Sequence, residues 1–494
     1  NVWKTGDTTA LDGTNVIAFR GGLELAGIKN RAYPPLQYFY AAPFLGVLGR
    51  NALAARLPFA LAGLAGFFLW SWWLLREAPN RWFTTLTAIF TLGNVSLFLY
   101  LRQSRYYGLA FALALAFVYL YLHRGRSGRH RVLLALTGVT LLACHYLTYG
   151  ATMVCLAVDY LLFERRRQRD SWRQIAVFLA TQVAGLCAVV GIFFPFGRKV
   201  TPYVPASWWH DKLVLFWWNL RDLNATECFW LPLLAIGALV AIARRDAWLG
   251  RAVLALLVFA AVASVLSPQP VGWATFSDIR YMSTTLPLTV FISARTLWLG
   301  AGLDRPAPVR VTAALGLAAV LAFTNIANVQ TRRLIGGPGS DDPIRSTLLT
   351  WLGELVHPQR SAYAEASASL NPNLPRGSNV FSVPDFSLYP LMFHAPQHRY
   401  MWQFSRHQRA DFPMLQPFNF RFLETPDAIV AFGSEVGPAR SLVQQLEQLG
   451  VRYEAVDLGV AGPDATRPEL FWHRFRTSPP RPGDDTWIVR RVSR

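Results

Sequence analysis

Acidic residues are scarce in this chain. Only 29 of its 494 residues are Asp or Glu, against 48 Lys and Arg, and charged residues together make up 16%. Soluble domains carry about 25%, which argues against a water-soluble enzyme. Lysine is rarer still, at four residues, so the positive charge is almost all arginine. Four cysteines (Cys144, Cys155, Cys187 and Cys228) form no CxxC pair, which gives neither a disulfide framework nor a zinc site. Three of them lie in apolar runs, where cysteine serves as a small buried hydrophobe. Histidines and carboxylates do not cluster at ligand spacing, and there is no P-loop or dinucleotide fingerprint. No cofactor is evident.

What the chain has instead is apolar length. It is 53% hydrophobic and 14% aromatic. Ten segments approach the roughly 20 residues needed to cross hydrocarbon: 52–75, 82–101, 107–122, 132–149, 150–163, 174–197, 229–243, 252–267, 281–299 and 311–328. Residues 1–328 hold 30 basic and 13 acidic groups, a net +17, and residues 329–494 hold 18 and 16, a net +2. The excess charge belongs to the apolar part, which argues against a nucleic-acid partner and for arginine-rich loops between membrane helices.

Those loops alternate. Segments 76–81, 123–131, 164–173, 243–251 and 300–310 carry 16 arginines in 45 residues. Segments 1–50, 102–106, 198–228 and 268–280 carry 12 basic residues in 99. The positive-inside rule assigns the first set to the cytoplasm, which places 1–50 and 329–494 on the opposite side. Fifty external residues beginning at Asn1 imply an upstream span or a cleaved signal segment. A retained first span brings the expected count to eleven helices.

Beyond residue 328 the character changes. GGPGSDDP (336–343) is a turn-rich linker ahead of a helical stretch at 345–357. Strand-like runs at 379–383, 427–432, 451–458 and 486–492, with a helix at 439–450, predict a small α/β domain. The expected fold is therefore an α-helical polytopic membrane domain, 1–328, followed by a small extracytoplasmic α/β domain, 329–494. The runs FSLYPLMF (386–393) and RYMWQF (399–404) are too apolar for water. They are expected either to cap the outer loops or to fill the domain's own core.

The few acids of the apolar part can be weighed singly. Glu77, Glu164, Asp170, Asp246 and Asp304 sit in arginine-rich loops and read as solvated counter-charge, and Asp159 reads as a group reaching the interface. Asp7, Asp12, Glu24, Asp211, Asp222, Glu227 and Asp278 remain, all external, so any chemistry is expected on the outer face. Segment 11–58 is too apolar for a solvated loop, and its glycines with Pro34–Pro35 cut it into short pieces. Two amphipathic helices lying in the membrane surface fit that pattern. In loop 198–228, Trp208, Trp209, Trp217 and Trp218 read as a belt at headgroup level or as a sugar-stacking wall. Asn224-Ala-Thr226 matches a glycosylation sequon, a pattern too short to carry weight.

These residues resemble the membrane glycosyltransferases of the GT-C fold, in particular family 39, with its protein O-mannosyltransferases and aminoarabinose-transferase-like bacterial members. In that family the first external loop runs from Asp-Glu through a helix closing on glycine to a proline pair with leucine. An Ala-X-Arg-Leu-Pro motif then opens the next helix. This chain has Asp12, Gly27, Pro34–Pro35–Leu36 and Ala55–Arg56–Leu57–Pro58. RQSRYYGL (102–109), HY (145–146), DIRYMSTTLPL (278–288) and DATRPELFWHRF (464–475) match further on, in the same order. Two departures stand out. Gly13 occupies the place of the family's glutamate, and Ala32–Tyr33 precede the prolines where aminoarabinose transferases have a charged residue.

The resemblance implies transfer of a sugar from a polyprenyl-phosphate donor to a lipid, glycan or protein acceptor at the periplasmic face of a bacterial inner membrane. Asp12 is then the catalytic carboxylate, taking or orienting the acceptor proton. Arg280, Arg102 and Arg105, at external helix ends beside tyrosines, are the candidates for the donor phosphate. Tyr106, His145, Tyr146, Tyr281, Asp278, Pro34 and Pro35 are expected to line the cavity. Some related folds use a divalent cation, which no motif here supports. Gly13 keeps open a second reading, a non-catalytic GT-C-like subunit serving assembly or binding. A transporter would hold ionisable groups near the bilayer midplane, whereas these acids collect at helix ends.

Overall fold

Each of the ten apolar segments holds a helix. In the computed structural model the described residues are 2–6, 8, 33–125, 127–165, 170–193, 207–227, 229–267, 271, 276–277, 279–337, 340, 342–357, 360–384, 387–401, 425–462 and 485–492. In chain order, α1 (Val2–Thr5) and α2 (Leu36–Leu48) precede α3 (Ala52–Glu77), α4 (Arg81–Gly93), α5 (Val95–Leu101) and α6 (Tyr107–Leu122). Then come α7 (Gly128–Cys144), α8 (Tyr146–Asp159), α9 (Trp172–Ile192), α10 (Trp208–Leu223), α11 (Leu231–Arg244) and α12 (Ala247–Leu266). The helical part closes with α13 (Leu286–Gly300), α14 (Pro308–Phe323), α15 (Ile326–Ile335) and α16 (Thr347–Val356). Helices α3, α9, α12 and α8 with its π-helical extension are long and apolar enough to cross a membrane. Two bent pairs pass the same test only together, α4–α5 with a bend of 61° and α14–α15 with a bend of 67°. The chain is a multi-pass membrane protein.

The breaks have local causes. At the α4–α5 bend, the Asn94 side chain accepts from the Leu97 N–H at 2.9 Å, and Glu227 accepts from the Ser96 N–H at 2.9 Å. Both satisfy donors that a helix start leaves free. The break expected near 149–150 falls earlier, at His145. Its backbone is extended, and its side chain caps α8 through the Thr148 N–H at 3.3 Å.

Helices α3 and α6 approach closely because glycine lines their contact. A Cβ at Gly108 would stand 2.3 Å from the Phe59 carbonyl oxygen, and one at Gly66 would stand 2.6 Å from the Phe111 ring. Gly108→Val is expected to force the two helices apart and cost about 1–3 kcal/mol of stability. Thermal unfolding in detergent checks this; an unchanged midpoint would contradict it.

Three expectations need correction. Helix α2, read as amphipathic, has no charged residue in LQYFYAAPFLGVL and no polar stripe. It is too short to span and rests on α3 and α7; the other expected helix of that segment lies outside the described residues. Loop 198–228 forms α10 from Trp208 onward. Of the acids in the arginine-rich loops, Glu77 and Asp304 are exposed as expected, but Glu164, Asp170 and Asp246 are not solvated. Arg124 pairs with Asp170 at 2.7 Å and Glu164 at 3.6 Å, and Arg251 pairs with Asp159 at 2.6 Å and Glu164 at 3.1 Å. The side chains of Arg124, Arg251, Glu164 and Asp170 are between 3% and 9% exposed. Asp246 pairs with Arg295 at 2.7 Å. The helix ends converge there, and charges taken out of water require partners.

The C-terminal part carries strands β1 (Asn379–Val383), β2 (Arg399–Met401), β3 (Ala428–Phe432), β4 (Tyr453–Ala461) and β5 (Asp485–Arg491). Helices α17 (Ala362–Asn373), α18 (Leu388–His394) and α19 (Val436–Gln448) flank them. The sheet order is β2-β1-β3-β5-β4, with β1 parallel to β2 and β3, and β5 antiparallel to β3 and β4. Central β3, AIVAF, is buried at every residue. Its period-two alternation gives Ala428, Val430 and Phe432 to the α17–α18 side and Ile429 and Ala431 to the α19 side.

Of the run 386–393, Leu388, Leu391 and Met392 fill the domain's own core. The end of α18 faces the bundle instead. The Arg50 guanidinium, in the turn between α2 and α3, lies 5.6 Å from the Phe393 ring and donates to the Met392 carbonyl. Tyr400 of the second run is buried, donating to the Ala395 carbonyl at 3.0 Å, and residues 402–404 lie outside the described residues.

Candidate functional site

Helix breaks create the site, because a helix that ends leaves side chains and backbone groups pointing past it. Four breaks bear on it: Pro34–Pro35 ahead of α2, residues 102–106 between α5 and α6, His145 between α7 and α8, and the 3-10 turn Ile279–Thr285 ahead of α13. The 3-10 turn is the hub and packs against α5, α6, α8, α10, α12 and α13. Asp222 at the end of α10 positions it. One carboxylate oxygen accepts from the Arg221 Nε at 2.6 Å and the other from the Ser277 N–H at 2.7 Å.

Aromatic rings stack at the centre. The Tyr106 and His145 rings are 3.9 Å apart and 13° from parallel, and Tyr281 follows His145 at 6.1 Å and 14°. The Arg280 guanidinium lies 5.6 Å from the Tyr281 ring, a cation–π distance. Burial, and after it the charge of Arg280, pushes His145 at its interhelical turn down to about 3. The imidazole is therefore neutral. Its Nδ1 accepts from the Thr148 N–H and stands 2.7 Å from the Thr148 hydroxyl, which leaves the ring proton on Nε2.

That downward shift has a consequence for stability. A group held neutral by the fold contributes stability that is complete above its unfolded value, near 6.5, and is lost as pH falls toward 3. The thermal midpoint of His145→Gln is expected to fall less between pH 7 and pH 4.5 than that of the parent. Equal falls would contradict the assignment.

A second group lies beside the stack. Tyr38, one turn into α2, is within electrostatic range of Tyr33, Arg105 and Tyr146. The Tyr146 hydroxyl is buried and has no hydrogen-bond partner among the described residues. An unsatisfied buried hydroxyl costs about 1–3 kcal/mol, which a ligand oxygen would recover. The structure thus joins Arg280, Tyr281, Tyr106 and His145, and sets Arg105 and Tyr146 around Tyr38. Arg102 caps α5 through its backbone N–H, and its side chain, like that of Arg105, is exposed. Pro34 and Pro35 are buried, and the Pro35 carbonyl accepts from the Tyr38 N–H at 3.0 Å. Asp12 and Asp278 lie outside the described residues.

Sequence reasoning missed Tyr38 and Thr148. The signals were present: Tyr38 stands one helical turn after the proline pair, and Thr148 stands three residues after the capping His145. Two external acids prove structural, Asp222 as above and Glu227 at the start of α5. The sequon asparagine is structural too. Asn224 is fully buried; it donates to the Asn328 carbonyl at 3.1 Å and accepts from the Leu231 N–H at 2.8 Å. Trp208, Trp209 and Trp217 are exposed on α10, with the first two rings 4.5 Å apart and nearly perpendicular. Among the described residues no three of His, Cys, Asp and Glu come together as a metal site.

No protein-family model matches the chain, and no curated protein matches its sequence. Solved structures match its fold. ArnT from Cupriavidus metallidurans in the apo state aligns with a TM-score of 0.55 at 12% identity, over 89% of this chain and 88% of that one. ArnT from the same organism bound to undecaprenyl phosphate aligns with a TM-score of 0.55 at 12% identity, over 99% and 91%. The fold is therefore the ArnT-like GT-C fold, helical bundle and small C-terminal domain together. At this identity the likeness is one of fold.

Proposed function

We propose that this chain is a membrane glycosyltransferase that moves a sugar from a polyprenyl-phosphate donor to an acceptor at the extracytoplasmic face of a bacterial inner membrane. The observation that carries the reading is Arg280 set against the Tyr106–His145–Tyr281 stack at the ends of spanning helices, in the fold of a protein crystallised with undecaprenyl phosphate. Arg280 meets the phosphate, with Arg105 and Arg102 on the loop opposite. The neutral imidazole and the tyrosine hydroxyls offer hydrogen bonds without competing for that charge.

In the reaction the acceptor oxygen forms a bond to the anomeric carbon as the bond from that carbon to the phosphate oxygen breaks. The acceptor proton passes to the Asp12 carboxylate. The phosphate leaves on its lipid, its charge held by arginine, which suits a two-point contact with phosphate oxygens. Gly13 beside Asp12 supports the second reading, a binding subunit with this fold and no turnover. Purified protein given undecaprenyl phosphate carrying a labelled sugar, with a bacterial envelope extract as acceptor source, separates the two. Label moved to an acceptor supports the transferase; donor bound without turnover supports the subunit.

A further inference from the structure

Helix α16 is apolar on both its packed face and its open face. Leu348 and Trp351 pack on Val95 and Leu99 of α5, and the Trp351 ring stacks on Phe98 at 5.8 Å and 4°. The opposite face presents Leu349 (70% exposed), Leu352 (43%), Leu355 (49%) and Val356 (72%), with Gly353 among them. No polar side chain interrupts it. A contiguous apolar face of this kind marks an interaction site.

Its attachment to the two bent helix pairs points to the partner. Asn325, in the bend between α14 and α15, clasps the start of α16. Its side chain accepts from the Arg345 N–H at 2.8 Å and donates to the Pro343 carbonyl at 3.0 Å, and its own N–H donates to the Arg345 carbonyl at 3.0 Å. The helix therefore begins at the 67° bend, where the chain turns off the axis of α14. It rests on α5, the second helix of the other bent, membrane-length pair. Exposed Ile326 and Ile344, beside the clasp residues in the chain, are apolar as well.

We propose that the open face of α16 is inserted in the headgroup–acyl boundary of the bilayer that the bundle crosses. The segment between bundle and sheet is then a membrane-held brace and not a solvated linker. It bears on the site mechanically, because α5 runs directly into the Arg102–Tyr106 loop. The inference rests on the membrane-spanning fold and not on the transfer reaction.

Nitroxide labels test it in the full chain, one copy per phosphatidylcholine–phosphatidylglycerol nanodisc, with the four native cysteines replaced by alanine. Single cysteines are placed at Leu349, Leu352 and Val356, and at exposed Glu447 on α19 as the aqueous reference. All four positions are at the surface or nearly so, so the fold is retained. The α16 labels are expected to relax with oxygen and to be shielded several-fold from a water-soluble nickel chelate relative to Glu447. Nickel access equal to that at Glu447 would overturn the proposal. So would shielding that appears only in two-copy discs with spin–spin broadening at Leu352, because a second copy would then cover the face. The pattern is expected to persist in Arg280→Ala, which separates its failure from a failure of the transfer reading.

Discussion

Replacing Arg280 by alanine is expected to lower sugar transfer by on the order of 10²–10³-fold, which corresponds to about 3–4 kcal/mol of lost phosphate stabilisation. The leaving phosphate gains charge as the glycosidic bond breaks, and a guanidinium beside it acts most strongly in the transition state. Arg280 sits on the turn that Asp222 fastens through Ser277, and it lies against the face of Tyr281. Arg280→Lys is expected to recover part of the rate, since charge is kept and the planar fork is lost. Initial rates with a labelled polyprenyl-phosphate sugar check both. Retention of a third or more of the rate by Arg280→Ala, with normal folding, would contradict the assigned role.

Asp12→Asn is expected to lower turnover by about 10²–10⁴-fold, the usual contribution of a positioned general base. Donor binding should change little, because in the proposed reaction the carboxylate serves the acceptor. The comparison is therefore of turnover against donor affinity measured on the same protein. An Asp12→Asn variant with full turnover would remove Asp12 from the chemistry. Loss of donor affinity in step with turnover would assign it to binding instead.

Much of the fold was legible because membrane helices write themselves in apolar length, and ten such runs became ten helical segments. The sheet was legible in period-two runs such as NVFSV and AIVAF, whereas the three-residue β2 was too short to show a period. Propensity misplaced the α7–α8 break. Nothing in the apolar run LLACHYLTYG stops a helix except the capping choice of His145 itself. Three of the cytoplasm-assigned acids, Glu164, Asp170 and Asp246, were misread for a different reason. Sequence places Glu164 and Asp170 beside arginines in a loop, but only the convergence of helix ends decides that both are buried against Arg124. At the site, arginines and tyrosines at helix ends were visible, and so was the His145–Tyr146 pair. Tyr38 was not, because its nearness to Arg105 and Tyr146 spans more than sixty positions of sequence. The same is true of Asp222, whose bond to the Ser277 N–H joins residues 55 apart.

The most direct test of the proposed transfer site is where a donor-type phosphate sits. Cryo-electron microscopy of the purified chain in nanodiscs with undecaprenyl phosphate is expected to show the phosphate between Arg280 and the Arg102–Tyr106 loop, within hydrogen-bond reach of the Tyr146 hydroxyl. A phosphate seated on the opposite, arginine-rich side of the bundle, or a site by Arg280 left empty at saturating lipid, would contradict the account.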